Sequence, residues 1–256
     1  MARTEHVASA DGTRIAYRSS GSGDAILFVH GSATSGADWL FVLPVLRERF
    51  TVVSMDRRGR GASEDEPRYE MQREAEDILA VLQATGAKLL VGHSYGALCC
   101  ILAAERTDQL RRLVIYEPPI GISERSLPAL DQLIAGGDHD LALETFLGFA
   151  GAGEEQLQAI RWSPEWSSLL GAVPALSREL HAGAAWRHPR GPIDVPTLWL
   201  QGAQTTSPAY LDGLQELQSA FPKLHRELIP DQSHFAHVFS PDAFATLVVS
   251  FCDVDS

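Results

Sequence analysis

The sequence predicts an α/β fold, a mostly parallel doubly wound sheet carrying a helical insertion, and three observations lead there. Short, continuous apolar runs of strand length alternate with helix-length amphipathic stretches. The alternation breaks once, over 120–192, and then resumes. At 256 residues the chain suits one large domain with a sizeable core better than two ordinary ones.

Taken in order, residues 4–9 and 13–18 read as strands joined by Asp11-Gly12, a dipeptide that favours the positive-φ backbone of a tight hairpin. This hairpin adds an antiparallel edge. The loop Gly21-Ser22-Gly23-Asp24 leads into AILFV at 25–29, apolar throughout, as a strand buried on both faces must be. A helix is predicted over 38–49, with Leu40, Val42, Leu43 and Leu46 as its apolar side. A strand follows at 50–55 and a helix at 69–84, where Ile78, Leu79 and Leu82 share a face. Then come a strand at 88–92, a helix at 95–106 and a strand at 110–116. Pro128, Gly136-Gly137, Gly148, Gly151, Gly153, Pro164 and Pro174 cut the next stretch into short helical pieces. Beyond it a strand is predicted at 197–200, a helix at 208–220 and a strand at 224–229. The last helix opens with Ser240-Pro241, an N-cap followed by proline at the first helical position. The domain expectation is a core of residues 1–119 and 193–256, with 120–192 as a cap or lid over the sheet's carboxyl edge, where such folds bind ligands.

Composition removes several function classes. Hydrophobic residues at 45% and charged residues at 21% exclude disordered and fibrous chains. A net charge of −12 repels phosphate backbones, so no nucleic-acid partner is expected. The longest apolar run, 97–104, falls far short of the roughly 18 residues of a membrane span, so no membrane partner is expected either. The N-terminal MARTEHVASADG lacks the apolar segment of a signal peptide, and Cys99, Cys100 and Cys252 form neither a disulfide framework nor a zinc pattern. A cytoplasmic setting, with no metal and no cofactor, is the expectation. Oligomeric state is not legible.

The strongest chemical signal is Gly92-His93-Ser94-Tyr95-Gly96, set between the apolar strand LLV and a helical run. That context distinguishes a nucleophile elbow from a chance G-x-S-x-G match. The turn must lift the serine hydroxyl clear of the backbone, and glycines two residues either side remove Cβ atoms that would clash. Ser94 also stands at a helix N-terminus, where free N–H groups favour developing negative charge. A serine hydroxyl needs a base at neutral pH. His234, just after the final strand, returns to the same sheet edge and is the candidate, whereas His237 fits a surface or helix-capping role. His6, His139, His181, His188 and His225 lie outside any constellation.

Over nearly its whole length the chain resembles the α/β-hydrolase superfamily. The resemblance rests on His30-Gly31 after a buried strand, on Asp56-Arg57-Arg58-Gly59-Arg60-Gly61-Ala62-Ser63 after the next, on the GHSYG elbow and on the late histidine, in that order. It implies an oxyanion hole made by the backbone N–H groups of Ser32 and Tyr95. It also implies that Asp56 and Arg57 are structural and that His30 shapes its loop. The chain departs from the family pattern at the acid. Such a family member most often has an aspartate about three residues past the glycine ending the strand after the lid, and here Gly202 is followed by Ala203-Gln204-Thr205. Glu117, at the tip of the preceding strand in Tyr116-Glu117-Pro118-Pro119, is the leading substitute, as in superfamily lipases and lactonases that place their acid there. Asp231, Asp212 and a serine–histidine dyad are the alternatives.

The reading is a serine hydrolase that cleaves a small apolar or aromatic ester or lactone through an acyl-enzyme, with Ser94, His234 and Glu117 as the triad. Trp162, Trp166 and Trp186 in the insertion either pack it or offer a flat apolar wall to the substrate. A thioesterase, an amidase or a carbon–carbon bond hydrolase could share the same parts. A low-turnover ligand receptor is the alternative from another class.

Overall fold

The computed structural model describes residues 3–187, 189–211 and 213–253. Its strands are β1 (Thr4–Ala8), β2 (Arg14–Gly21), β3 (Asp24–Val29), β4 (Phe50–Met55), β5 (Leu89–His93), β6 (Arg112–Tyr116), β7 (Thr197–Gly202) and β8 (Leu224–Ile229). They form one sheet in the order β1-β2-β4-β3-β5-β6-β7-β8. The β1–β2 and β2–β4 pairings are antiparallel and the rest are parallel, so the mostly parallel sheet with an antiparallel edge is as predicted. The chain leaves β3 for β4 on one side and returns past it to β5 on the other. Neighbouring strands whose onward connections diverge leave a crevice at their carboxyl ends.

Both faces of the sheet are covered, which is why its central strands are apolar without alternation. In β3, Leu27 and Val29 face the layer that holds α2 (Met71–Thr85) and α3 (Tyr95–Ala104). Ile26 and Phe28 face the other layer, with α1 (Leu43–Leu46) and α12 (Pro241–Cys252). All four side chains are completely buried. By area, each contributes roughly 1.5–3 kcal/mol.

One predicted helix is broken. The stretch 38–49 becomes a 3₁₀ turn, Gly36–Phe41, followed by α1, because Pro44 starts a new helix more readily than it continues one. The predicted helix at 208–220 is described as helix over Pro208–Leu211 (α9) and Gly213–Leu217 (α10), ending in a 3₁₀ turn, Gln218–Ala220. A short helix that was not predicted, α11 (Ala236–Phe239), precedes α12. Ser240 leads into Pro241 as expected but makes no side-chain cap. Among the described residues no helix is long and apolar enough to cross a membrane.

Between β6 and β7 lie α4 (Leu127–Gly136), α5 (His139–Phe149), α6 (Glu154–Arg161), α7 (Trp166–Ala172) and α8 (Leu176–Ala184). They share a small core that includes Leu130, Leu143, Leu147, Val173 and Leu176, together with Ala33 from the loop after β3. The loop after β4 is organised by Asp56. Its carboxylate accepts the Gly36 N–H at 2.9 Å and the Ala62 N–H at 2.9 Å, and Arg18 reaches it at 3.2 Å. Gly61 permits this closeness, because a Cβ there would fall 2.3 Å from the Asp56 carboxylate.

Asp56→Ala strands the buried Gly36 amide and removes the partner of the Ala62 amide and of Arg18, so it is expected to lower unfolding stability by about 3 kcal/mol. A urea denaturation series with an unchanged slope is the check.

Candidate active site

Ser94 follows β5 directly, at the turn into α3, with φ 52° and ψ −127°. A non-glycine residue held in that region stores about 1–3 kcal/mol of strain, so its surroundings must hold it there. Its N–H donates to the Tyr116 carbonyl on the neighbouring strand at 2.9 Å. The flanking glycines are required sterically: a Cβ on Gly96 would lie 2.3 Å from the His30 carbonyl oxygen, and one on Gly92 would lie 2.7 Å from Cα of Ala97.

His234, in the loop after β8, is buried. Its Nδ1 lies 2.8 Å from Oε2 of Glu117. A carboxylate can only accept, so Nδ1 carries the hydrogen and Nε2 of the neutral ring is left with its lone pair. Glu117 is fully buried just past β6, in a left-handed conformation with φ 44°. Its second oxygen, Oε1, accepts the Gly202 N–H at 2.8 Å and the Thr205 hydroxyl. Thr205 thus occupies the place where the sequence resemblance led one to expect the acid, and it hydrogen-bonds the glutamate from the adjacent strand end. Asp231 is exposed in a positive-φ turn, and Asp212 lies outside the described residues.

The loop that carries His234 is pinned from below. The Tyr116 hydroxyl donates to the Ser233 carbonyl at 2.7 Å and accepts the Ala236 N–H at 3.0 Å. His93 Nε2 donates to the His234 carbonyl at 3.0 Å. Burial, reinforced by the neighbouring His237 and His234, holds His93 well below the usual imidazole pKa, so it stays neutral. Gly202 allows the loop to pass close, since a Cβ there would meet the Gln232 carbonyl at 2.5 Å.

Two residues differ from the sequence reading or were missed by it. His237 is not a surface or capping residue: it is completely buried, and its Nε2 donates to Asp38 at 3.0 Å. The turn of α11 tucks it under the site, with its ring 4.3 Å from that of His93. Tyr210, on α9, stacks on His234 with ring centroids 4.3 Å apart, and its hydroxyl is hydrogen-bonded to Ser94. Burial, with help from Glu117, pushes the Tyr210 pKa up, so it remains a neutral phenol. No motif marks Tyr210 in the sequence. Among the described residues, a metal-type cluster of His and carboxylate groups gathers at Asp38, His93 and His237, with ligand atoms within 4.8 Å of one another. There the imidazole N–H groups are already engaged, by Asp38 and by the His234 carbonyl, so the cluster acts as a hydrogen-bonded support under the loop that carries His234.

Opposite the elbow, the loop after β3 brings Ser32 to the cavity wall. Among the described residues neither the Ser32 nor the Tyr95 amide meets an acceptor within the protein. The cavity has a volume of about 240 Å³ and contains Ser94 and His234 in its wall. Its apolar side is built by Leu143, Phe146, Leu147, Ile160 and Leu169 from the helical segment, with Phe41 and Phe239 opposite. Among the described residues no arginine or lysine lines it, and its carboxylates are Asp38 and Glu165. The structure does not bring the three insertion tryptophans to this wall. Trp162 is 81% exposed, Trp166 donates to Asp140 at 3.0 Å, and Trp186 packs against the core beside α3.

The profile of the alpha/beta hydrolase family matches residues 26–247. The 2-(acetamidomethylene)succinate hydrolase of Mesorhizobium japonicum is 27% identical, over 92% of this chain and 90% of that protein. Among solved structures, an alpha/beta hydrolase from Sphaerobacter thermophilus superposes with a TM-score of 0.83 at 29% identity, covering 96% of this chain and 99% of that one. The enol-lactonase from Burkholderia xenovorans superposes with a TM-score of 0.80, covering 97% and 100%, but at 23% identity the likeness is one of fold alone.

Thr205→Val removes one donor from a buried carboxylate and is expected to lower stability by about 1–3 kcal/mol, read by urea denaturation. Gly96→Ala is expected to yield little or no soluble folded protein, measured as the soluble fraction on expression, because the Cβ would meet backbone rather than a movable side chain.

Proposed function

This chain belongs to the alpha/beta hydrolase family, and from that premise we propose that it cleaves a small, neutral, apolar or aromatic carboxylic ester or lactone through an acyl-enzyme on Ser94. The observation that carries the reading is the 2.8 Å hydrogen bond from His234 to buried Glu117, on the sheet edge where Ser94 sits on a strained turn. In this reading His234 Nε2 takes the Ser94 proton as the hydroxyl oxygen attacks the substrate carbonyl. Glu117 keeps the imidazole in the right tautomer and stabilises the imidazolium that forms. The Ser32 and Tyr95 amides receive the oxyanion. His234 then protonates the leaving alkoxide, and a water activated by the same ring releases the acid. No step needs a metal or an organic cofactor.

The cavity supports the substrate class. Its volume is below the range usual for drug-sized ligands, which points to a compact substrate. With two carboxylates and, among the described residues, no arginine or lysine in the wall, it disfavours anions. The Mesorhizobium relative is named for a succinate, an anion, so this chain is proposed to have diverged from it in substrate. We read residues 120–192 as the lid, because the helices there supply half of the apolar wall. The pinned base and the two free amides favour turnover over a receptor role.

Initial rates on short-acyl aryl esters, simple lactones and their carboxylate-bearing analogues test this. Ser94→Ala is expected to abolish turnover, and Glu117→Gln to lower kcat by about 10²-fold or more, on the scale of a lost triad acid. Neutral esters are expected to outrun the anionic analogues. Wild-type rates equal to those of Ser94→Ala on every substrate would overturn the proposal.

A further inference from the structure

We propose that Arg57 is a positioning residue for the oxyanion hole, its guanidinium orienting and polarising the Gly31–Ser32 peptide so that the amide at the far end of that unit meets the oxyanion. The inference rests on the acyl-enzyme reading above.

A peptide unit is planar, and when trans its C=O and N–H point in opposite directions. Fixing the Gly31 carbonyl therefore fixes the Ser32 N–H. That carbonyl oxygen accepts two hydrogen bonds, from Arg57 Nη1 at 2.9 Å and from His30 Nδ1 at 2.8 Å. His30 is locked in turn, because its Nε2 accepts the Arg57 backbone N–H at 3.0 Å. Burial and the nearby Arg57 charge keep the His30 pKa well below its usual value, so it stays a neutral ring with one donor and one acceptor. Both ends of Arg57 thus converge on one peptide unit.

The cation adds polarisation to orientation. A charged donor on a carbonyl oxygen draws electron density from the amide nitrogen and strengthens the N–H as a donor, more so in a dry interior. Arg57 is completely buried, and burial works against its charge, but Glu179 and Glu74 outweigh that and keep it protonated. Glu74 grips the guanidinium through two bonds, 2.9 Å to Nε and 2.6 Å to Nη2, which sets its plane. The guanidinium carbon also lies 4.7 Å from the ring centroid of Tyr95, whose own amide is the second proposed donor.

Glu179 makes this arrangement depend on the helical segment. It comes from α8 and meets Arg57 at 2.8 Å and Arg60 at 2.6 Å. Two cations and two anions, all nearly or wholly buried, form a balanced cluster across the joint between that segment and the sheet. Docking of α8 and orientation of the hole are therefore one event.

Removing Arg57 alone would leave two buried carboxylates competing for Arg60, so the test keeps the charges paired. The double variant Arg57→Gln/Glu74→Gln retains the Arg60–Glu179 pair. It is compared with wild type on a neutral aryl ester, and in its affinity for two ligands. One is an aryl trifluoromethyl ketone, whose carbonyl carbon bonds to the serine oxygen and whose oxygen becomes an anion in the hole. The other is the matching methyl ketone, which binds without that step.

The double variant is expected to lose about tenfold in kcat, less than the 10²–10³ of a deleted oxyanion donor, with KM held within about twofold. Trifluoromethyl ketone affinity should fall by the same factor and methyl ketone affinity should hold. Arg57→Lys keeps the charge but exchanges a planar fork for a single ammonium, and should show the same pattern at about threefold. It decides the matter if the double variant does not fold. A folded variant with unchanged kcat and inhibition overturns the proposal. So does a parallel loss of affinity for both ketones, the sign of general damage to the site. If the wild type binds the two ketones equally, and does so equally well with Ser94→Ala, the acyl-enzyme reading fails and Arg57's role falls with it.

Discussion

A carboxylate with no access to solvent has to be surrounded by donors, and the way Glu117 meets that requirement organises the site. Its oxygens take a hydrogen from His234, a backbone amide from Gly202 and a hydroxyl from Thr205. Those partners belong to the ends of β7 and β8, while Glu117 belongs to β6. One buried charge therefore ties three strand ends together. The parallel sheet makes this possible, because every strand from β3 onward ends on the same edge. Ser94 is held to that edge by the hydrogen bond its N–H donates to the carbonyl of Tyr116, the residue before Glu117. Tyr116 also braces the loop before and after His234.

The other side of the cleft uses the same physics with opposite sign. Arg57 is a buried cation, and its satisfaction requires acceptors from three places: the Gly31 carbonyl, Glu74 on α2 and Glu179 on α8. Buried ion pairs are seldom a net source of stability, but they are strict about geometry, since any partner left unpaired is expensive. Strictness is what a loop carrying a free amide needs. The apolar contacts of Ala33 with the helical segment set the loop's depth, and the ionic cluster sets its orientation.

The cavity between these two supports is mostly hydrocarbon, and among the described residues no arginine or lysine lines its wall. Relatives of similar fold act on quite different molecules, so the distinguishing features lie in the wall and not in the sheet. Here half of the apolar wall comes from 120–192, the part of the chain whose sequence shows least regularity.

Much of the architecture was legible from the chain alone. Apolar runs marked β3 and β4 to within a residue, since a strand buried on both faces favours apolar side chains. The elbow was legible because only glycine fits at positions 92 and 96, and the late histidine because the strand count returned it to the same edge. Glu117 was legible only as one candidate among several. What tertiary structure alone decided were relations between distant residues: that Thr205 faces Glu117 across 88 positions, that Tyr210 stacks on His234, that His237 is buried, and that the tryptophans turn away from the cavity. Periodicity reports how a residue sits on its own helix or strand. Which side chains from different elements meet is set by how those elements pack, and local sequence carries no record of that.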